Sequence, residues 1–261
     1  MKVFLVNLER RPDRLAAMTE QLNRLGIVFE RFDAVDGANV DPAELSAPFA
    51  ASGPLGPLSS GDKACTFSHL HLWRRIGAGA DSHAVILEDD IHLSDGSPPF
   101  LTTAEWIPRE AGLVKLEKYG GERPVIVIGK DRRRALDREV APLLSRHTGS
   151  GGYVIAREKA AALANMAEKF TLPIDHLLFN PSNSPVFEML RPWQLLPAIL
   201  DQREAVGGAT DIHASRKVNK PRGLALAKRQ LTRVYYDFRL VPRQIAQVLT
   251  GRAEVVRVDV A

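Results

Sequence analysis

Short apolar runs alternate with helically spaced apolar positions in the first part of the chain. The run at residues 2–8 is typical of a buried strand. Pro12 suits the first turn of a helix, because its missing N–H needs no partner there, and Gly26 suits the end of that helix. Between them, apolar residues recur at helical spacing at Leu15, Met18, Leu22 and Leu25. A second strand over residues 27–35 completes a strand–helix–strand unit, which predicts a parallel α/β sheet.

The next stretch combines a long loop, a capped helix and a strand with an unusual end. Residues 39–58 are rich in Pro, Ala, Ser and Gly, which indicates a surface loop or lid with one helical turn. Ser59 and Asp62 have the spacing of a capping box and predict the start of a helix. A buried strand at residues 83–87 then runs directly into three carboxylates at residues 88–90.

Beyond the acidic stretch, the pattern predicts further strands and one long helix. Strands are predicted at residues 113–116, 125–128, 153–155, 186–190 and 195–200. Residues 131–138 are charged and indicate a solvated stretch, whereas residues 158–169 are predicted to form a helix. The sequence therefore predicts an α/β fold with a mixed, mostly parallel sheet flanked by helices.

Composition restricts the class of protein. The 261 residues are 45% apolar and 25% charged, as in an ordinary soluble globular protein. The single cysteine, Cys65, excludes an internal disulfide framework and a zinc site of several cysteines, and favours a reducing compartment. The apolar run at the start is too short for a signal peptide, and no run approaches the roughly 20 apolar residues of a membrane helix. We therefore expect a cytoplasmic protein.

Basic charge is concentrated near the end of the chain. Residues 216–243 carry nine Lys and Arg side chains against one acidic residue, which leaves residues 1–215 with a net charge of −4. Apolar residues are interleaved with these charges over residues 216–248, as in a basic amphipathic helix. We expect a domain over residues 1–208 and a basic, partly helical tail over residues 209–261. An anionic membrane surface, nucleic acid and the domain itself are all possible partners of such a tail.

The three carboxylates at residues 88–90 are the strongest candidate for chemistry. Adjacent negative charges repel one another unless they are solvated, paired or bound to a cation. A solvated turn is the simpler interpretation, and a divalent cation at the carboxyl edge of the sheet is the functional one. In an extended chain, Glu88 and Asp90 share a face about 7 Å apart while Asp89 points away, so one ion takes both only if the chain bends.

Several separated stretches match the motifs of one family, in order. They are Val6-Asn7-Leu8-Glu9-Arg10, Phe32-Asp33-Ala34-Val35-Asp36-Gly37, Ser59-Ser60-Gly61-Asp62, Ser68-His69, Ile86-Leu87-Glu88-Asp89-Asp90, Gly152-Tyr153-Val154-Ile155 and Pro173-Ile174-Asp175-His176. Over residues 2–202 the chain resembles glycosyltransferase family 25, which includes the bacterial lipooligosaccharide galactosyltransferases. Ala64 departs from the family, which usually has a glycine there. The block around Lys115 and Glu117 is weaker than usual, and the basic tail lies outside the resemblance.

The resemblance implies a GT-A-like, Rossmann-type fold, a nucleotide-sugar donor, a saccharide acceptor and a divalent ion. Oxygen ligands suit Mn²⁺ or Mg²⁺. We expect Asp90 to bind the ion and Glu88 to reach the ribose or an ion-bound water, with Asp89 as the alternative ligand.

The resemblance also implies which residues bind the UDP-sugar. They are Asn7, Leu8, Asp33, Asp36, Ser68, His69, Glu88, Gly151 and Gly152. Each set has a structural alternative: turn and cap contacts for the two aspartates, core packing for the serine and histidine, and tight turns for the glycines. Arg10 and Arg14 are expected to pair with Asp33 and Asp36 or to contact phosphate, and for Arg14 we favour pairing.

Asp175 is the candidate catalytic base. An inverting displacement needs a carboxylate within hydrogen-bond reach of the acceptor hydroxyl. The motif at residues 173–176 places Asp175 in this role, although it could instead cap the following helix. His176 and His213 are the alternatives for a further metal ligand.

These expectations combine into a specific function. The chain is expected to move a hexose, galactose from UDP-galactose, to a lipooligosaccharide or LPS saccharide by metal-dependent inverting displacement. The alternatives are another nucleotide sugar or glycan acceptor, or a non-catalytic sugar-nucleotide or membrane-binding protein of the same fold. Because the family's acceptors are lipid-anchored, we expect the tail to bind an anionic membrane surface on the cytoplasmic face and not nucleic acid.

Overall fold

A computed structural model of the chain describes residues 1–119, 124–202, 230–232, 234–236 and 238–261. The strands are β1 (Lys2–Asn7), β2 (Glu30–Asp33), β3 (His83–Glu88), β4 (Ile91–Leu93), β5 (Leu113–Lys115), β6 (Glu117–Lys118), β7 (Val125–Gly129), β8 (Arg133–Ala135), β9 (Arg138–Pro142), β10 (Gly152–Ala156), β11 (Pro192–Leu196), β12 (Leu200–Gln202) and β13 (Ala253–Arg257). The helices are α1 (Pro12–Arg24), α2 (Pro42–Ser46), α3 (Ser60–Gly77), α4 (Pro98–Thr102), α5 (Arg157–Ala164), α6 (Ile174–Phe179), α7 (Phe187–Leu190) and α8 (Val241–Leu249).

An eight-stranded mixed sheet forms the centre of the α/β fold. Its strand order is β2-β1-β3-β10-β5-β11-β9-β8. Six of these strands run in one direction, but β10 and β9 are reversed, so four of the seven pairings are antiparallel. The expectation of a mostly parallel sheet is therefore wrong for the strand pairings, although it holds for the strand directions.

The parallel part of the sheet brings distant polar residues to one edge. β1 pairs with β2 on one side and with β3 on the other, and α1 and α3 make the connections. In this register Asn7 lies opposite Asp33, and Val6 lies opposite Glu88. The carboxyl ends of the three strands therefore meet at one place, which is where ligands bind in open α/β sheets.

Helix α3 covers this part of the sheet and carries a fully formed capping box. The Ser59 hydroxyl accepts a hydrogen bond from the backbone N–H of Asp62, and the Asp62 carboxylate binds the Ser59 backbone in return. At the other end, a Cβ on Gly77 would lie 2.9 Å from Ala161 of α5, so a glycine is needed for these helices to approach. The predicted start of this helix is confirmed.

Three other predicted elements need correction. The strand predicted at residues 186–190 is wrong, because Phe187–Leu190 form the short helix α7. The solvated stretch predicted at residues 131–138 contains β8 and the start of β9, which form an antiparallel pair. The strand predicted at residues 195–200 is divided between β11 and β12, which belong to different sheets.

The end of the chain returns to the domain. β13 pairs antiparallel with β7, and the backbone N–H of Ala198 donates to the carbonyl of Asp259. The predicted boundary between residues 208 and 209 lies outside the described residues. The last part of the predicted tail, however, packs against the domain that contains the sheet.

A buried histidine supports the sheet from the loop before β10. His147 is 4% exposed, and its Nε2 accepts a hydrogen bond from the backbone N–H of Tyr119 at 3.2 Å. Its Nδ1 therefore carries the proton and donates to Oε1 of Gln194 at 2.7 Å. Burial, followed by the charge of Lys115, lowers the pKa of His147 from 6.5 to about 3. The imidazole is thus held neutral in the fold.

We predict that His147 makes the fold less stable in acid. Between pH 6.5 and about 3 the unfolded chain takes up a proton that folded His147 does not, so stability falls as pH falls. The contribution reaches about 1.4 kcal/mol per pH unit. Urea unfolding at a series of pH values should show a shallower pH dependence for His147→Gln than for the wild type. His92→Gln, at a half-buried position of β4, is the control, and equal slopes for His147→Gln and the wild type would contradict this origin.

Candidate active site

A cavity of about 300 Å³ opens where the carboxyl ends of β1, β2 and β3 meet the first half of α3. Its apolar wall is formed by Val6, Leu8, Val35 and Ala64. Its polar lining consists of Arg10, Arg14, Asp36, Ser60, Ser68, His69, Glu88, Asp89 and Asp90. The sheet register therefore collects the acidic stretch, the end of the second strand and the Ser-His pair around one space, and an apolar wall facing several charged groups is typical of a ligand site.

The chain turns immediately after Glu88, so all three carboxylates of the acidic stretch reach the cavity. Asp89 is held in place from two sides. Asn7 Nδ2 donates to one of its oxygens at 2.7 Å, and Arg14 NH1 donates to the other at 3.0 Å. Arg14 is therefore paired, but with Asp89 and not with the predicted Asp33 or Asp36, and the charge of Asp89 is compensated within the protein.

Asp90 is the least compensated of the three carboxylates. Among the described residues its closest polar contacts are Gln202 Nε2 at 3.4 Å and Arg14 NH1 at 3.8 Å, both longer than strong hydrogen bonds. Burial, followed by the charge of Glu88, raises the pKa of Asp90 to about 7, although Arg14 acts in the opposite direction. A positive charge placed beside Asp90 would therefore be stabilised.

Glu88 faces α3 and the glycine-rich loop, which consists of residues 148–152 before and at the start of β10. The Ser150 hydroxyl donates to Glu88 Oε1 at 2.6 Å, and His69 Nε2 lies 3.5 Å from the same oxygen. Burial alone would raise the pKa of Glu88, but His69, Ser150 and the charge of Lys115 more than offset it, so the pKa is lowered. Glu88 is therefore an ionised hydrogen-bond acceptor on the cavity wall.

Ser68 and His69 have structural partners as well as positions on the cavity wall. The Ser68 hydroxyl accepts from the backbone N–H of Val35 at 2.8 Å, which fixes the loop after β2 against α3. His69 Nδ1 contacts the Tyr153 hydroxyl at 2.7 Å, and that hydroxyl also accepts from Trp73 Nε1 at 3.0 Å. Both predicted residues thus shape the wall as part of the packed helix.

A buried ion pair lies beneath the glycine-rich loop. Lys115 Nζ is 2.7 Å from Glu117 Oε2 and also donates to the carbonyl of Gly149. The same carboxylate accepts from the backbone N–H of Gly151 at 3.1 Å. Burial raises the pKa of Glu117 to about 7 and lowers that of Lys115, since desolvation disfavours both charges. The pair therefore fixes the loop that carries Ser150 to Glu88.

Two groups in the cavity could hold a metal ion. Asp90 offers a poorly compensated carboxylate next to Glu88 and Asp89, a hard oxygen site of the kind that Mg²⁺ or Mn²⁺ prefers. Cys65, His69 and Glu88 also place one potential ligand atom each within 4.8 Å of one another. Burial raises the pKa of the Cys65 thiol well above its usual value, so the neutral thiol is favoured. The carboxylates offer the ligand type that these ions prefer, although among the described residues only the Cys65 group has all its potential ligand atoms this close together.

Several of the predicted residues do not line the cavity. Asn7 lies behind Asp89, and Asp33 points outward to Arg31, which is 2.8 Å away. A Cβ on Gly151 would lie 2.8 Å from Ile91, and one on Gly152 would lie 2.4 Å from Leu200. Both glycines therefore permit close packing, and their role towards a donor stays a prediction.

The predicted base and the further metal ligands also lie away from the acidic stretch. Asp175 is half-buried at the start of α6, where its charge adds to the rise that burial and Glu88 cause in the pKa of Cys65 and partly opposes the fall that burial causes in the pKa of Lys115. His176 lines a different cavity, and His213 lies outside the described residues. Sequence reasoning missed Ser150, although its place between the loop glycines was the available signal.

Comparison with known proteins identifies the family. A sequence profile described as glycosyltransferase family 25 (LPS biosynthesis protein) matches residues 1–178. The lipooligosaccharide biosynthesis protein lic2B of Haemophilus influenzae is 25% identical over 71% of this chain and 72% of its own length. The lacto-N-neotetraose biosynthesis glycosyltransferase LgtB of Neisseria meningitidis serogroup A is 28% identical over 77% of this chain and 74% of its own length. The lacto-N-neotetraose biosynthesis glycosyltransferase LgtE of Neisseria gonorrhoeae is 29% identical over 60% of this chain and 58% of its own length. The family match covers the cavity and all three carboxylates of the acidic stretch, and the chain belongs to glycosyltransferase family 25.

Proposed function

We propose that this protein transfers a hexose, with galactose from UDP-galactose as the leading candidate, to a saccharide of lipooligosaccharide or LPS. The names of the Haemophilus and Neisseria relatives, which describe lipooligosaccharide and lacto-N-neotetraose biosynthesis, support this class of reaction. The observation that carries the proposal is the cavity whose lining combines the poorly compensated Asp90 with apolar residues that follow β1 and β2 or belong to α3. Such a cavity suits a nucleotide with a flat base at one end and a charged diphosphate at the other.

The apolar wall is the proposed place of the nucleoside. Leu8, Val35 and Ala64 offer apolar contacts to a base, and Asp36 offers a carboxylate to a ribose hydroxyl or a base N–H. Arg10 holds that carboxylate at 2.7 Å, so it enters the cavity in a fixed position. The ionised Glu88, held by Ser150, is a second acceptor for ribose hydroxyls.

Asp90 is the proposed ligand of a divalent cation, Mn²⁺ or Mg²⁺, with Glu88 and Asp89 next to it. Its buried, poorly compensated carboxylate fits such an ion, because a positive charge would lower the pKa that burial raises. When bound, the ion would neutralise the charge on the departing UDP. Arg14, held by Asp89, keeps a fixed positive charge beside this position.

The proposed reaction is a single displacement with inversion. The acceptor hydroxyl oxygen forms a bond to the anomeric carbon while the bond from that carbon to the diphosphate oxygen breaks. UDP leaves with the electron pair, and the hydroxyl proton passes to a carboxylate. Asp175 is the proposed base, because it stands near enough to the cavity wall to act electrostatically on Cys65.

A membrane surface is the proposed location of the acceptor. Large apolar side chains near the end of the chain are exposed, namely Leu231, Val234, Tyr235, Phe238, Ile245 and Leu249. Arg239 and Arg243 lie among them, and none of the residues of α8 is buried. Within the described part of the chain, no helix is long and apolar enough to cross a membrane. The combination suits adsorption to an anionic bilayer.

We predict that UDP release depends on a divalent cation and on Asp90. The wild type should release UDP from UDP-galactose with Mn²⁺ and lose this activity in EDTA. Asp90→Asn should lose at least about two orders of magnitude, since the ion's main ligand is removed. Asp89→Asn is the comparison and should mainly lower the melting temperature, because buried Arg14 loses its ionic partner. Full activity of Asp90→Asn would contradict the role of Asp90 as the ligand of the ion. A faster reaction with another UDP-sugar than with UDP-galactose would identify that UDP-sugar as the donor.

We predict that Asp175→Asn separates donor binding from transfer. Removal of a base should lower kcat for transfer by about 10²–10⁴-fold, while the affinity for UDP stays within about twofold. Transfer assays stopped at fixed times measure kcat, and calorimetric titration with UDP measures the affinity for UDP. Glu168→Gln, at an exposed position before α6, is the control. A normal kcat in Asp175→Asn would leave this residue with the structural role of a helix-start carboxylate.

We predict that the exposed apolar side chains near the end of the chain bind anionic vesicles. Phe238→Ser combined with Ile245→Ser should reduce co-sedimentation with phosphatidylglycerol vesicles at least about tenfold, because each buried side chain contributes roughly 1.5–3 kcal/mol. Val125→Ser combined with Val255→Ser, on the exposed face of the β7–β13 pair, is the matched control. Equal binding of the two double variants would contradict the proposed surface.

A further inference from the structure

A second cavity, of about 230 Å³, lies next to the glycine-rich loop, where Thr148 forms part of its lining. Its lining is mostly polar and includes Arg146, Thr148, His176, Asn180, Asn183 and Tyr236. These residues come from three parts of the chain: the loop before β10, α6 with the turn after it, and the helical segment around residue 236. Two amides, an imidazole, a guanidinium and a phenol facing one space provide many hydrogen-bonding groups and little apolar surface.

One part of this lining is rigidly organised. Asn180 is 2% exposed, and its Oδ1 accepts from the backbone N–H of Ser182 at 3.0 Å. Its Nδ2 must therefore be the donor in the 2.9 Å contact with His176 Nδ1. Since Nδ1 accepts, the proton of a neutral His176 is on Nε2. The orientation and the tautomer of two adjacent polar residues are thus fixed before any ligand binds.

Asn183 is the residue that points to a ligand. Its backbone N–H donates to the carbonyl of Asn180, which fixes the turn. Among the described residues, however, neither Nδ2 nor Oδ1 of its buried amide has a hydrogen-bond partner. A buried amide without partners is costly, and a ligand that offers both an acceptor and a donor would satisfy it. Adjacent hydroxyls of a sugar ring offer this combination.

The second cavity is joined to the first through residues that are neighbours in sequence. Thr148 lies two residues before Ser150, which binds Glu88 in the first cavity. His176 directly follows Asp175, whose charge acts on Cys65 of the first cavity. Two residues of extended chain span at most about 7 Å, so the glycine-rich loop and the start of α6 connect the lining of the second cavity to groups that act on the lining of the first.

We propose that this second cavity binds the saccharide acceptor, with the amide of Asn183 hydrogen-bonded to adjacent sugar hydroxyls. The proposal rests on the proposed function and adds where the acceptor sits and what recognises it. Asp175, which precedes His176 of the second cavity and acts electrostatically on Cys65 of the first, is then the carboxylate proposed to take the proton of the acceptor hydroxyl. The Tyr236 ring provides a flat apolar surface with a polar end, which suits the mixed surface of a pyranose.

The test compares acceptor use with donor use in the full-length protein. Asn183→Leu should raise the acceptor KM at least about tenfold, because a shape-matched apolar group cannot replace two hydrogen bonds. UDP release without acceptor, and UDP affinity, should stay within about twofold of the wild type, because Asn183 does not touch the first cavity. Asn165→Leu is the control, since that exposed amide only binds the carbonyl of Ala161.

Direct measurement of saccharide binding tests the proposed acceptor site without an activity assay. Saturation-transfer NMR with a deacylated lipooligosaccharide core, and with methyl glycosides of hexoses and N-acetylhexosamines, should show contact with the wild type and with Asn165→Leu. The signal should be lost in Asn183→Leu. Unchanged acceptor KM and unchanged saccharide contact in Asn183→Leu would overturn the acceptor site. By contrast, saccharide contact that depends on Asn183 without UDP release from any UDP-sugar would overturn the proposed reaction and leave a saccharide-binding site.

Discussion

Crowding of buried carboxylates at one sheet edge is the constraint on which the rest of the site depends. Glu88, Asp89, Asp90 and Glu117 lie close enough for their charges to affect one another's protonation. The fold compensates most of them: Arg14 and Asn7 for Asp89, Ser150 and His69 for Glu88, and Lys115 for Glu117. Only Asp90 is left with long contacts among the described residues. Because an isolated buried charge is costly, the proposed cation would be stabilised more at Asp90 than at its neighbours.

The parts of the fold set by local sequence signals were predictable. β1, α1 and the capping box of α3 follow from short apolar runs, a proline at a helix start and the Ser59–Asp62 spacing. The helix α7 was mistaken for a strand, because a five-residue stretch with four apolar residues is too short for its periodicity to separate the two. The reversal of β9 and β10 depends on pairings between distant strands, which no local pattern encodes.

The candidate site was predictable as a set of residues but not as a division of roles. The strand ending in three carboxylates was visible in the sequence, and extended geometry placed Asp89 away from its neighbours. In the fold the chain turns after β3, and Asp89 meets partners 82 and 75 residues away in the sequence. The weak block around Lys115 and Glu117 gave no signal either, since its importance comes from burial beneath the loop of Gly149 and Gly151.

The helical segment near residue 236 contributes both to the second cavity and to the exposed apolar surface near the end of the chain. Tyr236 lines the second cavity, while Tyr235 and Phe238 on the same segment are exposed. A surface that adsorbs to a bilayer through those exposed side chains would hold the second cavity close to the lipid headgroups. A lipid-anchored saccharide could then enter this cavity without leaving the membrane, and the first cavity would remain open to a soluble nucleotide sugar. The two substrates would meet near Ser150, which binds Glu88 of the first cavity, and Asp175, which precedes His176 of the second.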